Sequence, residues 1–172
     1  SKVYVDPRND NVVYVAALGR LWGKSEERGL YKSTDGGSSW QHVFALNDLT
    51  GIIDLDVDPK NPNTLYICAW ERLRKPYIFY SGGYACGIYK STDAGKSWKK
   101  MSNGLPAAPL GRIGLSIYAK NPKIMVANVE YRPKGSDGAA VRFRSKDDTQ
   151  EREEQEGAIN GYLSTEVYAM LG

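Results

Sequence analysis

Short apolar runs alternate with polar turns from the start of the chain, and each run predicts a β-strand. Residues 3–5 form one run, residues 12–16 form the next, and a stretch rich in Pro, Asn and Asp lies between them. Aromatic and β-branched residues favour strands, whereas Pro, Asn and Asp favour turns. The pattern therefore predicts a hairpin of two short strands, at 2–7 and 12–17.

The same hairpin pattern returns twice later in the chain. It recurs over residues 55–68 and again over 115–127. Pro7 and Pro59 are 52 residues apart, and Pro59 lies 60 residues before the aligned Ala119. Repeats of this length, with four short strands each, are typical of the blades of a β-propeller.

A second repeat lies between these hairpins. Residues 29–40 read G-L-Y-K-S-T-D-G-G-S-S-W, and residues 87–98 read G-I-Y-K-S-T-D-A-G-K-S-W. Each copy predicts a strand followed by a polar turn, in which Ser and Asp bond to the backbone and Gly adopts a positive φ. We expect the closing Trp to bury its ring and hold the turn against the hairpin.

Both copies match S-x-D-x-G-x-x-W, and this motif resembles the Asp-box, or bacterial neuraminidase repeat, of propellers in sialidases, xyloglucanases and sortilin-type receptors. The resemblance implies a structural motif in the turn between the outer two strands of a blade, away from the usual ligand site. The matching residues are Ser33, Asp35, Gly37 and Trp40 in the first copy and Ser91, Asp93, Gly95 and Trp98 in the second.

The likeness covers residues 1–147 and is closest over 50–130, where the chain is similar to bacterial sortilin-like Asp-box proteins that are often labelled glycosyl hydrolases. We therefore predict an all-β fold, a β-propeller segment of about three four-stranded blades with Asp-box hairpin turns. The expected blades are 1–46, 53–103 and 112–147.

The third blade is expected to carry a degenerate box. Ser145 and Asp147 align with the motif, but Thr149 and Arg152 occupy its Gly and Trp positions. The segment 148–172 begins as a polar, acidic insert, which is typical of a solvated loop or helix. Its apolar end, from residue 159, is compatible with a final strand or a docking helix.

Three blades are too few to close a ring, because closed propellers have typically four to eight. An open fragment leaves sheet edges that pair readily with other strands. The expected partners are therefore the remaining blades of a longer parent chain, or other subunits that complete the assembly.

Composition excludes several kinds of function. The net charge of +3 over 172 residues is too small to indicate nucleic-acid binding, and no apolar run is long enough to span a membrane. Phosphate-binding and dinucleotide-binding loops are missing from the sequence. No cofactor is expected.

The single histidine and the two cysteines add no further chemistry. His42 cannot supply a nucleophilic triad from its predicted outer strand, and together with Cys68 and Cys86 it lacks the spacing of a metal site. The two cysteines are either a cross-strand disulfide or two free, buried thiols.

The face opposite the Asp-box turns is the predicted ligand-binding face. It carries the loops 18–28, 46–53, 70–86, 104–114 and 130–140. Their aromatic and guanidinium groups suit sugar rings, carboxylates or peptide termini. The structural alternative is that these side chains pack against a neighbouring blade or domain. The candidates are Arg20, Trp22, Trp70, Arg72, Arg74, Tyr77 and Arg112.

Enzymatic chemistry has weaker support. The arginine-containing element of sialidases is missing, and Gly111–Gly114, its nearest counterpart, lacks the Pro. Hydrolysis of a glycosidic bond uses two carboxylates facing across a cleft, and Asp54 and Glu71 are weak candidates.

We predict a non-catalytic binding or scaffold module of an exported bacterial propeller protein, extracellular or periplasmic. The alternatives are a segment of a glycoside hydrolase, sialidase- or xyloglucanase-like, and a purely structural subunit that assembles through its open edges.

Overall fold

The computed structural model describes residues 1–107, 109–131 and 164–171, the last of these as backbone only. This part of the chain is entirely β, without a helix. Its strands are β1 (Lys2–Val5), β2 (Val13–Ala17), β3 (Gly29–Ser33), β4 (Gln41–Phe44), β5 (Thr50–Val57), β6 (Leu65–Lys75), β7 (Ile78–Ser81), β8 (Gly87–Ser91), β9 (Lys99–Met101), β10 (Leu110–Ile117), β11 (Ile124–Tyr131) and β12 (Ser164–Leu171).

The strands form three antiparallel sheets in chain order. The first sheet is β1-β2-β3-β4, the second is β5-β6-β8-β9 with β7 paired to the end of β6, and the third is β10-β11-β12. Successive sheets of this meander type are the blades of a propeller. The all-β propeller architecture predicted from the repeats is confirmed.

Two details differ from the expected blade. The segment 70–86 is only partly a loop, because β6 continues to Lys75 and returns as β7. The chain after β11 returns as β12, which pairs with β11 along its whole length. The aligned third strand at 141–143 and the degenerate box at 145–152 lie outside the described residues.

Two apolar cores separate the three sheets. The first lies between the first and second sheets, and its fully buried members include Tyr14, Leu30, Leu55 and Ile67. The second core lies between the second and third sheets. Cys68 and Cys86 belong to it as free thiols, and burial raises the pKa of Cys86 to about 12. Both thiols are therefore uncharged packing groups.

The first strands of the three sheets are joined by one carboxylate. The Oδ2 atom of Asp54, on β5, accepts a hydrogen bond of 2.9 Å from the backbone N–H of Leu115 on β10. Its Oδ1 atom accepts one of 2.9 Å from Nζ of Lys2 on β1. Asp56 repeats the first contact two residues later, with Ile117 N–H as donor at 2.9 Å. A buried backbone N–H group needs a hydrogen-bond acceptor. The two carboxylates supply acceptors for N–H groups of β10 that no neighbouring strand bonds.

The repeated turns are closed by the same hydrogen bonds in both copies. Ser33 Oγ accepts a bond from Gly37 N–H at 2.8 Å and donates one to Asp35 at 2.7 Å. In the second copy Ser91 makes the same contacts with Gly95 and Asp93, at 2.9 and 2.7 Å. The Ser39 donors lower the pKa of Asp35 to about 2. Each turn is thus satisfied within itself.

Both turns need a left-handed residue at the same position. It is Gly36 in the first turn, with φ of 70°, and Ala94 in the second, with φ of 59°. The N–H groups of these two residues donate to the carbonyls of Asn11 and Asn63, at 3.0 and 2.9 Å. Each repeated turn is thereby fastened to the first hairpin turn of its own sheet, so the two kinds of turn share one face of the molecule.

The second turn also docks onto the first sheet. Its Ala94 carbonyl accepts hydrogen bonds of 3.0 Å from both the Tyr14 hydroxyl and Lys32 Nζ. The Trp98 ring meets Phe44 of β4 edge-on, with the centroids 5.4 Å apart.

Trp40, the equivalent ring of the first turn, is 43% exposed, so the expectation that it is buried is wrong. The reason is positional. The first turn lies on the side of the first sheet away from the second sheet, where the described residues supply no counterpart of Phe44.

Exchanging Gly and Ala at the position with positive φ tests whether the two turns share one geometry. Replacing Ala94 with Gly should raise the free energy of unfolding by about 0.5–1 kcal/mol, because an alanine at positive φ is strained. Gly36→Ala should lower it by about 1 kcal/mol, since its Cβ would find room 3.4 Å from Asn11 and only the backbone would be strained. Urea unfolding measures both. A change of the same sign in both variants would contradict the shared geometry.

The two tryptophans should differ in their contribution to stability. Trp98→Ala should lower the free energy of unfolding by about 2 kcal/mol, because the ring is half-buried against Phe44, whereas Trp40→Ala should cost less than about 1 kcal/mol. Thermal and urea unfolding of the two variants provide the comparison. A cost at Trp40 equal to that at Trp98 would show that Trp40 is covered in solution.

Candidate ligand-binding site

The ends of the sheets opposite the repeated turns are tied together by backbone hydrogen bonds between segments. Ser25 N–H donates to the Asp48 carbonyl at 2.9 Å, and Arg72 N–H donates to the Leu49 carbonyl at 3.0 Å. Gly83 N–H donates to Leu110 of the third sheet at 3.0 Å. The segments 18–28, 47–50 and 72–83 therefore form one connected surface, which we call the loop face.

Arg28 is the internal support of this face. Its side chain is 1% exposed, and its terminal nitrogens donate to the carbonyls of Leu18, Arg20 and Gly23 at 2.6, 3.1 and 3.2 Å. The Arg28 guanidinium thus holds the loop 18–23 in a closed conformation through three of its carbonyls. Arg28 is followed by the glycine that begins β3, and the carbonyl of Arg28 also lies 3.1 Å from Nε2 of His42.

An aromatic and cationic ladder crosses the face from the first sheet to the second. Trp22 forms a parallel bridge with Arg74 of β6, and the Arg74 guanidinium lies 5.8 Å from the centre of the Trp22 ring. The same guanidinium lies 5.6 Å from the ring of Phe79 on β7. Arg74 is therefore flanked by two aromatic rings, each within the range of a cation–π contact.

The ladder continues into the second sheet. Trp70 meets Phe79 edge-on at 6.2 Å, and its indole N–H donates to Ser81 Oγ at 3.1 Å. The guanidinium of Arg72 lies 5.4 Å from the Trp70 ring and points one nitrogen at the Gly19 carbonyl. Trp70 is buried, so Trp70 and Arg72 pack within the protein, in keeping with the alternative that the loop side chains contact neighbouring segments.

The outer half of the ladder faces solvent. Trp22 is 51% exposed, Phe79 is 43% exposed and Tyr77, at the end of the β6–β7 hairpin, is 48% exposed. Arg74 between them is exposed as well. An exposed group of three aromatic rings and one guanidinium offers both apolar faces and charged donors to a ligand.

Four polar atoms beneath the face are buried and have no hydrogen-bond partner among the described residues. They belong to two arginines and two hydroxyl residues: Arg28 Nε, Arg72 Nε, Ser25 Oγ and Thr50 Oγ1. Burial and the neighbouring Arg72 both lower the pKa of Arg28. Two arginine side chains thus lie close together beneath the loop face, with Asp48 as an opposite charge near Arg28.

The seven predicted binding residues form two groups, of three and two residues, and two separate positions. Trp22 and Arg74 meet at the surface with Tyr77 nearby on the hairpin, and Trp70 and Arg72 support them from below. Arg20 is exposed and contributes its carbonyl to Arg28. Arg112 lies on β10, where its backbone N–H donates to Glu130 at 3.0 Å.

Sequence reasoning overlooked Arg28 and Phe79. An available signal for Phe79 is the alternation of Tyr77, Phe79 and Ser81 on one side of a strand.

The two candidate catalytic carboxylates have structural contacts. Asp54 joins the first strands of the three sheets and is therefore committed to the backbone of β10. Glu71 lies against Gly83, where an added Cβ would come within 2.3 Å of its carboxylate, and it accepts a bond from Ala85 N–H. Burial raises the pKa of Glu71.

Metal and membrane signals are missing from the described residues. No group of three or more His, Cys, Asp or Glu side chains in this part is placed to hold a metal ion. No helix there is long and apolar enough to cross a bilayer.

The contribution of the Asp54 hydrogen bonds to stability can be tested directly. Asp54→Ala should lower the free energy of unfolding by about 1–3 kcal/mol, because it leaves the Leu115 N–H without its acceptor. Asp10→Ala, at an exposed turn position, is the matched control and should change stability by less than about 0.5 kcal/mol. Urea denaturation reports both, and equal midpoints for the two variants would contradict the role of Asp54.

Comparisons with known proteins agree with the architecture. No family model matches the chain. The vacuolar protein sorting/targeting protein 10 of Fusarium vanettenii is 28% identical over 103 residues, which are 60% of this chain and 6% of that protein. A GH74 enzyme of Niastella koreensis has a solved structure that matches 81% of this chain with a TM-score of 0.52 and 21% identity.

A second solved structure, the GH74 xyloglucanase of Xanthomonas campestris, matches 78% of the chain at 14% identity, but its TM-score of 0.35 is too low to support the fold. The chain spans 18% of the Niastella enzyme's length and 6% of the fungal protein's length. The Niastella match supports the propeller fold.

Proposed function

We propose that this chain is a non-catalytic binding module whose ligand lies on the loop face. The observation that carries the proposal is the contact of Trp22 with Arg74, which brings exposed groups of two sheets together. Binding groups on loops need a rigid support to hold their geometry. Arg28, closing the loop 18–23 from inside, provides that support.

The proposal includes the wider setting of the chain. We assign the two repeated turns as Asp-boxes of a sortilin-like propeller protein, exported to the extracellular space or periplasm. Their self-contained hydrogen bonds support a structural role. The partners of the open sheets are the remaining blades of a longer parent chain, in keeping with the small part of the matched proteins that this chain spans.

Affinity electrophoresis in gels containing soluble polysaccharides tests the binding role. The native protein should be retarded, and Trp22→Ala should lose most of that retardation because the exposed ring supplies the contact surface. Leu21→Ala is the control, since Leu21 is an apolar neighbour outside the ladder that is 41% exposed against 51% for Trp22. Retardation that survives Trp22→Ala, or that is lost equally in both variants, would contradict a ligand site at the ladder.

A glycoside hydrolase segment is the second candidate, favoured by the half-buried Glu71, whose raised pKa is a property of acid catalysts. Under the binding proposal, incubation with polysaccharides releases no reducing ends. Release that Glu71→Gln abolishes, while the variant keeps the native unfolding midpoint, would favour the hydrolase.

A further inference from the structure

We propose that the ligand of the loop face is an acidic polysaccharide, whose carboxylates are bound by Arg74 while its sugar rings lie against Trp22 and Phe79. This inference rests on the binding role proposed above and specifies its ligand. It follows from three features of the face: an excess of positive charge, a guanidinium with unused donors, and aromatic rings on both sides of that guanidinium.

The segments that build the face carry more cations than carboxyl groups. With their flanking residues these segments span 18–28, 46–53 and 70–86, and they contain six arginines and lysines against four aspartates and glutamates. Asp48 lies 3.7 Å from Lys24, and the Glu71 carboxyl group accepts a bond from Ala85 N–H. Glu26 and Glu27 are exposed. The remaining charge is positive and attracts anions.

The positive charge is concentrated beneath the ladder. Arg28 is buried without a carboxylate among its hydrogen-bond acceptors, and near it Arg72 acts as a like charge and Asp48 as an opposite one. Two neighbouring guanidiniums with only carbonyl partners are an unfavourable arrangement in a medium of low dielectric constant. An anion bound over them reduces this repulsion, and such a ligand should therefore stabilise the fold.

Arg74 is the group best placed to meet a carboxylate. Its guanidinium lies 5.8 and 5.6 Å from the ring centres of Trp22 and Phe79, and the side-chain N–H groups make no hydrogen bond within the described part of the chain. A guanidinium held in this way keeps its planar set of donors available for two parallel bonds to one carboxylate. Lysine cannot reproduce that geometry.

The aromatic rings beside Arg74 favour an acidic polysaccharide over a nucleic acid. Sugar rings present C–H groups that pack on the electron-rich face of an aromatic ring, and uronic acids carry a carboxylate beside those C–H groups. Single-stranded nucleic acid also stacks on aromatic rings, but it needs a groove of cations that follows its phosphates. Here one exposed arginine stands between the rings, which matches a carboxylate carried by a sugar.

Polygalacturonate and alginate are suitable probes, and fully methyl-esterified polygalacturonate is the matched neutral control because it has the same backbone without the charges. Affinity electrophoresis of the native protein should show retardation by a uronate polymer and at least tenfold weaker binding to the ester. Arg74→Gln and Arg74→Lys should each weaken uronate binding about tenfold or more, which is the loss expected for a charge-assisted bond. Lys99→Gln, which removes one exposed charge from the outer strand β9, should change binding less than twofold.

The outcomes separate this inference from the binding role. Retardation by the ester as strong as by the uronates, still dependent on Trp22, would overturn the acidic ligand and leave the binding module in place. Failure of both uronates and ester to bind would overturn both. Equal losses in Arg74→Gln and Lys99→Gln would show general charge attraction, and stronger binding of a single-stranded oligonucleotide would replace the polysaccharide. Unfolding midpoints of all variants should match the native protein without ligand.

Discussion

The three sheets depend on the carboxylate of Asp54. It accepts hydrogen bonds from the first strand of the first sheet and from the first strand of the third sheet, while its own backbone belongs to the second. A strand at the edge of a sheet leaves N–H groups unpaired, and a fold built of separate small sheets has many such edges. Asp54 and Asp56 satisfy two of those on β10, at Leu115 and Ile117, and so hold β10 against β5.

That joint holds corresponding ends of the three sheets side by side. With the first strands held together, the repeated turns lie at one end of the sheets and the loop face at the other. The turns are closed by hydrogen bonds of their own Ser and Asp side chains, so these groups already have partners. The loop face is closed by Arg28 from within, which leaves the outward groups of Trp22 and Arg74 free for other contacts.

Local patterns in the sequence predicted the hairpins and the turns because those contacts are made between residues close in the chain. The role of Asp54 could not be predicted this way, since its acceptor geometry depends on Leu115, 61 residues later. The same limit explains why Arg72 and Arg74 appeared equivalent. Arg72 lies against Trp70 of β6, whereas Arg74 lies against Trp22 in the loop between β2 and β3. Trp40 and Trp98 have the same motif, but Trp98 packs against Phe44 and the core between the first and second sheets.

The contact between the Ala94 carbonyl and the pair Tyr14–Lys32 has an evolutionary consequence. The second sheet carries the same pair, with Lys90 Nζ 5.3 Å from the Tyr66 ring as Lys32 Nζ is 5.2 Å from that of Tyr14. Each of these two sheets thus has a repeated turn on one side and a Tyr–Lys pair, the kind of pair that bonds to such a turn, on the other. A duplication of a whole sheet copies both the turn and the Tyr–Lys pair. Arrays of such sheets can therefore lengthen by gene duplication without any new contact having to evolve.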